Sequence, residues 1–388
     1  MRIAVLNAGS ATVKAALVEA DAGGAVPQAR HAEDVGPEGD LRGAFRRVLD
    51  AVGAEPGGVD AVGHRIVHGG TRFTDPVAID PGVEEALEAL APLAPLHNPP
   101  ALEGVRVARE RLPDAPAVGV FDTAFHAGRG PASFRYALPR KLADELGLYR
   151  YGFHGIAHAA LAEALAGAEG TPLAATSAVT LQLGAGCSAC AVEDGRSVET
   201  SMGFSPLEGL CMATRCGDLD PGVVLELWRR GHEREEVEAL LARRSGLRGL
   251  AGSGDLREVL RAERAGDERA TAAVELFVRR IVATVGAYLT LLGGRGALVF
   301  GGGIGAGSPE IRKRVGRGLA AWNVALDPER NAAGAPGRLS AEGTRPVHAF
   351  ETDEERPIAR AVYRVLAGSP PRGESERTPH SRHRGERP

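Results

Sequence analysis

Two arginines stand in surroundings that do not suit an ordinary surface charge. Arg65 lies in AVGHRIVHGG (residues 61–70), between apolar neighbours and just ahead of a Gly-Gly pair. Arg215 is the one basic residue of the run 202–215 and is followed by Asp218 and Asp220. A guanidinium set in apolar chain is costly to bury unless an anion pairs with it, and its planar fork fits a carboxylate or a phosphate. A structural ion pair is the plain alternative for Arg65. Asp122, in FDTAFH (residues 121–126), ends an apolar run on the side where α/β sheets bind ligands. There it could place a metal or orient a nucleophile, or simply cap a helix.

The elements that position these groups are legible as punctuation. Residues 179–183 form an apolar strand pattern running into Gly184-Ala185-Gly186, and residues 188–192 follow as a second strand. Asp194-Gly195 then reads as a hairpin turn. The start of the chain has the same form: a strand at 3–6, the turn Asn7-Ala8-Gly9-Ser10, and a strand at 13–18. Glycine turns of this kind let an anion approach backbone amides, although short Gly/Ala/Ser turns also recur by chance. A third element, the strand 297–300, enters the loop Gly301-Gly302-Gly303-Ile304-Gly305, and Pro309 opens a helix, which suggests a nucleotide or anion site. Between these elements, residues 21–40 read as a connection with little periodicity. Helices are expected at 41–52 and at 101–111, the latter with Asn98 as a cap. A strand is expected at 116–122.

Composition narrows the class. The chain has 388 residues, 44% of them hydrophobic, which is enough for two domains with cores. A formal net charge of -4 and 4% aromatics give neither a basic surface nor stacking platforms for nucleic acid. The most apolar segment, 281–292, is too short to span a bilayer, and the beginning lacks a signal-peptide pattern, so a cytoplasmic protein is expected. Cys187, Cys190, Cys211 and Cys216 could be read as a zinc set, but three-residue spacing on a strand sends side chains to opposite faces. Buried reduced thiols are the expectation. His154 and His158 resemble half of a zinc-protease motif, with Gly155 where its glutamate would stand.

Eight stretches in order resemble the acetate kinase family, of the acetate and sugar kinase, heat-shock chaperone and actin superfamily. They are LNAGSATVK (6–14), GHRIVHGG (63–70), LAPLHNP (93–99), FDTAFH (121–126), RYGFHGIAH (150–158), TSMGFSPLEGLCMATRCGDLDPG (200–222), FGGGIGAGSP (300–309) and TDEERPIAR (352–360). The likeness spans residues 1 to about 367. It implies reversible transfer of the γ-phosphoryl group of ATP to a short-chain carboxylate, with Mg2+ (Mn2+ as an alternative) bridging the nucleotide phosphates. By this resemblance Arg65 and Arg215 clamp the carboxylate and the transition state, and His154 hydrogen-bonds the equatorial oxygens. Asp122 orients the reacting groups and helps place the metal, Asn7 contacts the transferring phosphoryl and the metal region, and Glu354 holds the metal. The acyl group would rest on Val67, Leu96, Phe153 and Pro206. Ser10, Thr12, Lys14, Gly184, Gly186, Asp255, Arg257, Gly302, Gly303 and Gly305 would meet the nucleotide.

The implied fold is α/β: two duplicated actin-like, ribonuclease H-like ATPase domains with an interdomain cleft. The expected divisions are 1–125 plus 356–368 for the acyl-substrate domain and 126–355 for the nucleotide domain. Residues 369–388, almost without apolar side chains, form an expected disordered tail. A homodimer is implied. The chain departs from the family pattern at Gln182, Ala185 and Cys187 of the second hairpin, and at Ala306 and Gly307 of the third loop. A propionate or butyrate kinase, or a non-catalytic nucleotide-binding paralogue, are the alternative readings.

Overall fold

The computed structural model describes residues 1–9, 12–36, 39–95 and 97–368; Ser10, Leu96 and the 369–388 tail lie outside them. Two six-stranded mixed sheets with helices on their faces make a two-domain α/β fold. The first sheet contains β1 (Arg2–Ala8), β2 (Thr12–Asp21), β3 (Gly24–Asp34), β4 (Ala61–Ile66), β5 (Val77–Ala78) and β6 (Ala117–Phe121), in the order β3-β2-β1-β4-β6-β5. The second contains β7 (Ala178–Leu183), β8 (Cys187–Glu193), β9 (Arg196–Thr200), β10 (Ala297–Gly301), β11 (Gly337–Arg338) and β12 (Val347–Ala349), in the order β11-β12-β10-β7-β8-β9. In each, an antiparallel meander of three strands is followed by two strands parallel to its first member. The echo between the two hairpins in the sequence is therefore a duplication of topology.

The central strands are buried on both faces, which is why β4, β6 and β7 read as nearly unbroken apolar runs. The helix Glu355–Leu366 returns to the first sheet and buries Ile358, Ala359, Ala361 and Val362 with Ile3, Val5, Ala61 and Val118. It lies close to β4 at Gly63, where an added Cβ would come within 2.8 Å of Ile358 and 2.9 Å of Val362. The Asp194-Gly195 turn has positive φ at both residues, 50° and 73°, as a two-residue hairpin of the expected kind requires.

Three expectations are corrected. The stretch read as a connection from 21 to 40 contains β3, whose Pro27 sits beside a register shift opposite Leu17 and Val18. It is an edge strand with most residues exposed, so the apolar alternation that reveals a half-buried strand is missing. Asn98 does not cap its helix, Asn98–Arg111, but begins it, and its side chain turns inward to His68. The glycine segment after β10 is not an open loop, because Gly302–Gly307 forms a short helix before Pro309–Gly318.

Candidate active site

Asn7, Arg65 and Asp122 lie at or just beyond the carboxyl ends of β1, β4 and β6. Register pairs Asn7 with Arg65 across β1 and β4, and Arg65 with Val120 across β4 and β6. Asp122 Oδ1 and Oδ2 accept from Arg65 Nε at 3.0 Å and Nη2 at 2.6 Å, a bidentate pair with Asp122 fully buried. Arg65 Nη1 donates to Asn7 Oδ1 at 2.9 Å, and Asn7 Nδ2 donates to Glu354 Oε2, also at 2.9 Å. Glu354 Oε2 is 3.8 Å from Arg65 Nε. Burial opposes the charge on Arg65, but Asp122 and Glu354 outweigh it and raise its pKa. The guanidinium is thus held in one orientation before any ligand arrives.

The second lobe supplies the opposite wall. Gly184 donates to Gly186 O at 3.0 Å across the β7–β8 turn, and a Cβ built on Gly186 would lie 3.4 Å from His154 Nε2 and 3.5 Å from Arg215 Nη1. Arg215 Nη1 donates to Pro206 O at 3.2 Å. Its pKa is lowered by burial first; Cys187 opposes this and Arg65 adds to it. His154 is pushed down to about 3 by burial, then by Arg65, with Arg215 also contributing, so its ring is neutral. His97 falls to about 4 through burial and through Arg215 and Arg65. The two arginines from separate lobes therefore act on the same histidines and on each other.

His154 itself has φ 57°, a left-handed backbone that few non-glycine residues adopt, immediately before the helix Gly155–Glu169. The conformation is fixed from both sides. His126 Nε2 donates to Phe153 O at 3.0 Å while its Nδ1 accepts from Ser197 at 2.8 Å, and the Gly155 amide donates to Asp122 O at 2.9 Å.

Between the lobes is a cavity of about 500 Å3 whose lining includes Lys14, Gln182, Gly302, Gly303, Thr352 and Glu354. Thr352 Oγ1 donates to Gln182 Oε1 at 2.7 Å and accepts from Gly302 N at 2.8 Å. The Gly302 amide expected to meet a phosphate thus holds Thr352 here. Gly305 is buried and its carbonyl accepts from Arg312. Thr12 Oγ1 donates to Asp34 at 3.1 Å. Asp255 caps the helix Leu256–Arg264 and pairs with Arg257 Nη2 at 2.6 Å on the surface, and neither residue lines this cavity. Val67 and Phe153 are buried in one apolar cluster with Tyr151 and Leu183, which joins the end of β4 to the second lobe. Pro206 is half-buried beside Arg215.

Several contributors were not singled out from the sequence as functional. Asn98 brackets His68 by accepting from its amide at 3.1 Å and donating to its carbonyl at 3.0 Å. His126, His158, Thr180 and Ser188 are fully buried polar residues in the apolar runs around the site. A polar side chain at a strand position that the pattern assigns to the core was the available signal. The four cysteines are unpaired thiols. Among the described residues no group of three or more His, Cys, Asp or Glu is arranged for a metal. Asn7 and Glu354 offer hard oxygen ligands of the kind that suits Mg2+ held partly by water and by substrate phosphates.

The sequence profile of the acetokinase family matches residues 30–360. The acetate kinase of Leifsonia xyli is 43% identical over 392 residues, covering 94% of this chain and 99% of that protein. That of Micrococcus luteus is 44% identical over 390 residues, covering 95% and 100%. The crystal structure of Porphyromonas gingivalis acetate kinase superposes with a TM-score of 0.84 at 34% identity, covering 94% of this chain and 99% of the other. A propionate kinase from Francisella tularensis superposes with a TM-score of 0.82 at 32% identity, covering 93% and 98%.

Proposed function

The chain belongs to the acetokinase family, and from that premise we propose that its cleft transfers the γ-phosphoryl group of ATP to acetate, reversibly giving acetyl phosphate and ADP. The observation that carries this reading is the bonded group Asn7, Arg65, Asp122 and Glu354, with His154 and Arg215 of the other lobe near enough to Arg65 that its charge helps lower the pKa of both.

The chemistry follows from the residue types. A carboxylate is already a nucleophile, so the obstacle is the repulsion between two anions, and positioning with electrostatic stabilisation supplies most of the catalysis. Arg65, immobilised by Asp122 and Asn7, presents fixed positive charge at the end of β4. Arg215 adds a second guanidinium from the other lobe, largely buried and, among the described residues, bonded to no carboxylate, which leaves its charge to meet an incoming anion. Val67 and Phe153 give the acyl group an apolar wall. Lys14, Gln182 and Gly303 border the nucleotide side. Asn7 and Glu354 are the residues that would hold Mg2+ or Mn2+, and the bound ion would neutralise phosphate charge. Approach of the lobes would exclude water and limit hydrolysis of ATP.

The intact reaction centre favours catalysis over a non-catalytic nucleotide-binding role. We place the acyl-substrate lobe at 1–125 with 356–368 and the nucleotide lobe at 126–355. We further propose a cytoplasmic homodimer. No described helix is long and apolar enough to cross a membrane, and the helix Pro221–Arg229 buries none of its residues, leaving Val223, Leu225 and Trp228 exposed as a surface for a second copy. Trapping acyl phosphate with hydroxylamine in the presence of ATP and Mg2+, across acetate, propionate and butyrate, tests the reading. The expected result is acyl hydroxamate formation with acetate preferred; none with any acid would overturn it, and a preference for propionate would reassign the substrate.

A further inference from the structure

The segment that carries Pro206 is pinned on both sides of that residue by one cluster of side chains. Phe204 N donates to Tyr136 Oη at 2.8 Å. A backbone N–H can only donate, so the one hydroxyl proton of Tyr136 goes to Glu208 Oε2. Glu208 Oε1 accepts from Arg150 Nη1, and the Arg150 guanidinium also lies over the Tyr136 ring, 5.4 Å from its centroid. Tyr136 thus holds the chain two residues before Pro206 and, through Glu208, two residues after it. The cluster rests directly on the backbone here, because a Cβ built on Gly203 would overlap both Tyr136 Oη and Glu208 Oε2.

The same cluster reaches the segment that carries Phe153. Arg150 Nη2 donates to Thr200 O at 3.1 Å, and Gly152 N donates to Gly203 O at 3.1 Å. Residues 150–152, which lead into Phe153, are therefore fastened to residues 200–203, which lead towards Pro206. Beyond Pro206 the line continues to the reaction centre, since Arg215 Nη1 donates to Pro206 O at 3.2 Å. The spacing of Phe153, Pro206 and Arg215 is thus held by three side chains to which the mechanism above gives no part.

We propose that Tyr136, Glu208 and Arg150 are positioning residues that set how Pro206 and Arg215 stand relative to Phe153, and so which chain length of acid the site accepts. The proposal rests on the phosphotransfer reading above. An apolar pocket refuses an extra methylene only as far as its walls do not yield, and the cluster is what keeps these walls from yielding.

Tyr136→Phe keeps the ring beside Arg150 but leaves the Phe204 amide without its acceptor and Glu208 without one donor. Two quantities are read on the full-length protein: amide hydrogen exchange over residues 200–209 by mass spectrometry without substrate, and kcat/KM for acetate and for propionate by hydroxamate formation with ATP and Mg2+. The variant should exchange faster over that segment and show a raised KM for acetate with the KM for ATP unchanged. Its acetate-to-propionate ratio of kcat/KM should fall about tenfold, the lower range of what one methylene commands in an apolar pocket. Tyr149→Phe, which removes the hydroxyl bonded to the exposed Asp144, is the matched control and should keep the wild-type ratio. If Tyr136→Phe fails to fold, Glu208→Gln, which keeps the size of the side chain but not the charge facing Arg150, is read in the same way. Unchanged exchange, or faster exchange with the wild-type ratio, would overturn the proposal. A wild-type protein that forms no acyl phosphate with any acid would overturn the functional reading and this proposal with it, whereas wild-type turnover with an unaltered ratio in the variant counts against this proposal alone.

Discussion

The amide of Gly155 is bonded to the backbone carbonyl of Asp122, at 2.9 Å, so the residue that grips Arg65 and the residue that follows His154 are fastened to each other directly. A Cβ built on Gly155 would lie 2.1 Å from that carbonyl oxygen, with no flexible side chain to yield. Gly155→Ala should therefore lower both stability and turnover, the former by about 1–3 kcal/mol as expected of overpacking. Gly128→Ala, where an added Cβ meets nothing within 4 Å, is the matched control. Denaturant midpoints and kcat measured side by side check this; equal behaviour of the two variants would contradict it.

Replacing either Arg65 or Arg215 by alanine should reduce kcat by about 10³-fold, the lower range for a transition-state arginine. Arg65→Lys should recover little of this, because an ammonium cannot reproduce the two-point contact with Asp122 and the bond to Asn7. Steady-state rates decide the matter, and a loss of tenfold or less in both alanine variants would remove the clamp.

Glu354→Gln should shift the Mg2+ titration of activity to higher concentration, since the side chain keeps its size and an oxygen that can accept from Asn7 Nδ2 but loses its charge. An unchanged Mg2+ titration would take Glu354 out of the metal shell.

Acid should destabilise the fold through its buried histidines. His64 is lowered to about 3 by burial with a contribution from Arg109, and His126 and His158 fall well below their ordinary value, chiefly through burial. Their folded-state pKa values lie below the unfolded ones, so between about pH 6.5 and 3 the unfolded chain binds more protons. Stability is fully present above pH 6.5 and declines as pH falls, by about 1.4 kcal/mol per unit for each histidine that titrates only on unfolding. Denaturant midpoints at pH 7.5, 6 and 5 should decrease in that order, and His64→Gln should flatten the slope.

Asn98→Ala strips both partners from the backbone of His68, which is wholly buried. Leaving those groups unpaired should cost about 1–3 kcal/mol each at most, read as a lowered denaturant midpoint. Because Val67 adjoins His68, the KM for the acid should rise as well, while that for ATP stays near its original value.

How legible all this was depended on burial. The strands carrying Arg65, Asp122 and the glycine turns are buried on both faces, and their apolar runs announce them. β3 lies at an edge and offers water most of its side chains, so no periodicity marked it. Asn98 looked like a cap because caps and inward amides use the same residue type; only the approach of His68 from a distant strand end distinguishes them. Asp255 and Arg257 stand next to each other in sequence, and the structure shows them bonded together at a helix start, a local contact that spacing alone does not separate from a ligand pair. Thr180 was read within the apolar strand 179–183 and Ser188 as the start of the strand 188–192, since a hydroxyl acquires direction only when the histidines it meets are in place.

The return of Glu355–Leu366 to the first sheet has a consequence for how the chain is made. Until residues 355–366 leave the ribosome, Ile3, Val5 and Val118 lack the cover that Ile358, Ala359, Ala361 and Val362 give them, whereas every strand of the second sheet has already been synthesised. The later half of the polypeptide can be finished before the earlier half, and a nascent chain halted near residue 350 would present part of an apolar sheet face to chaperones.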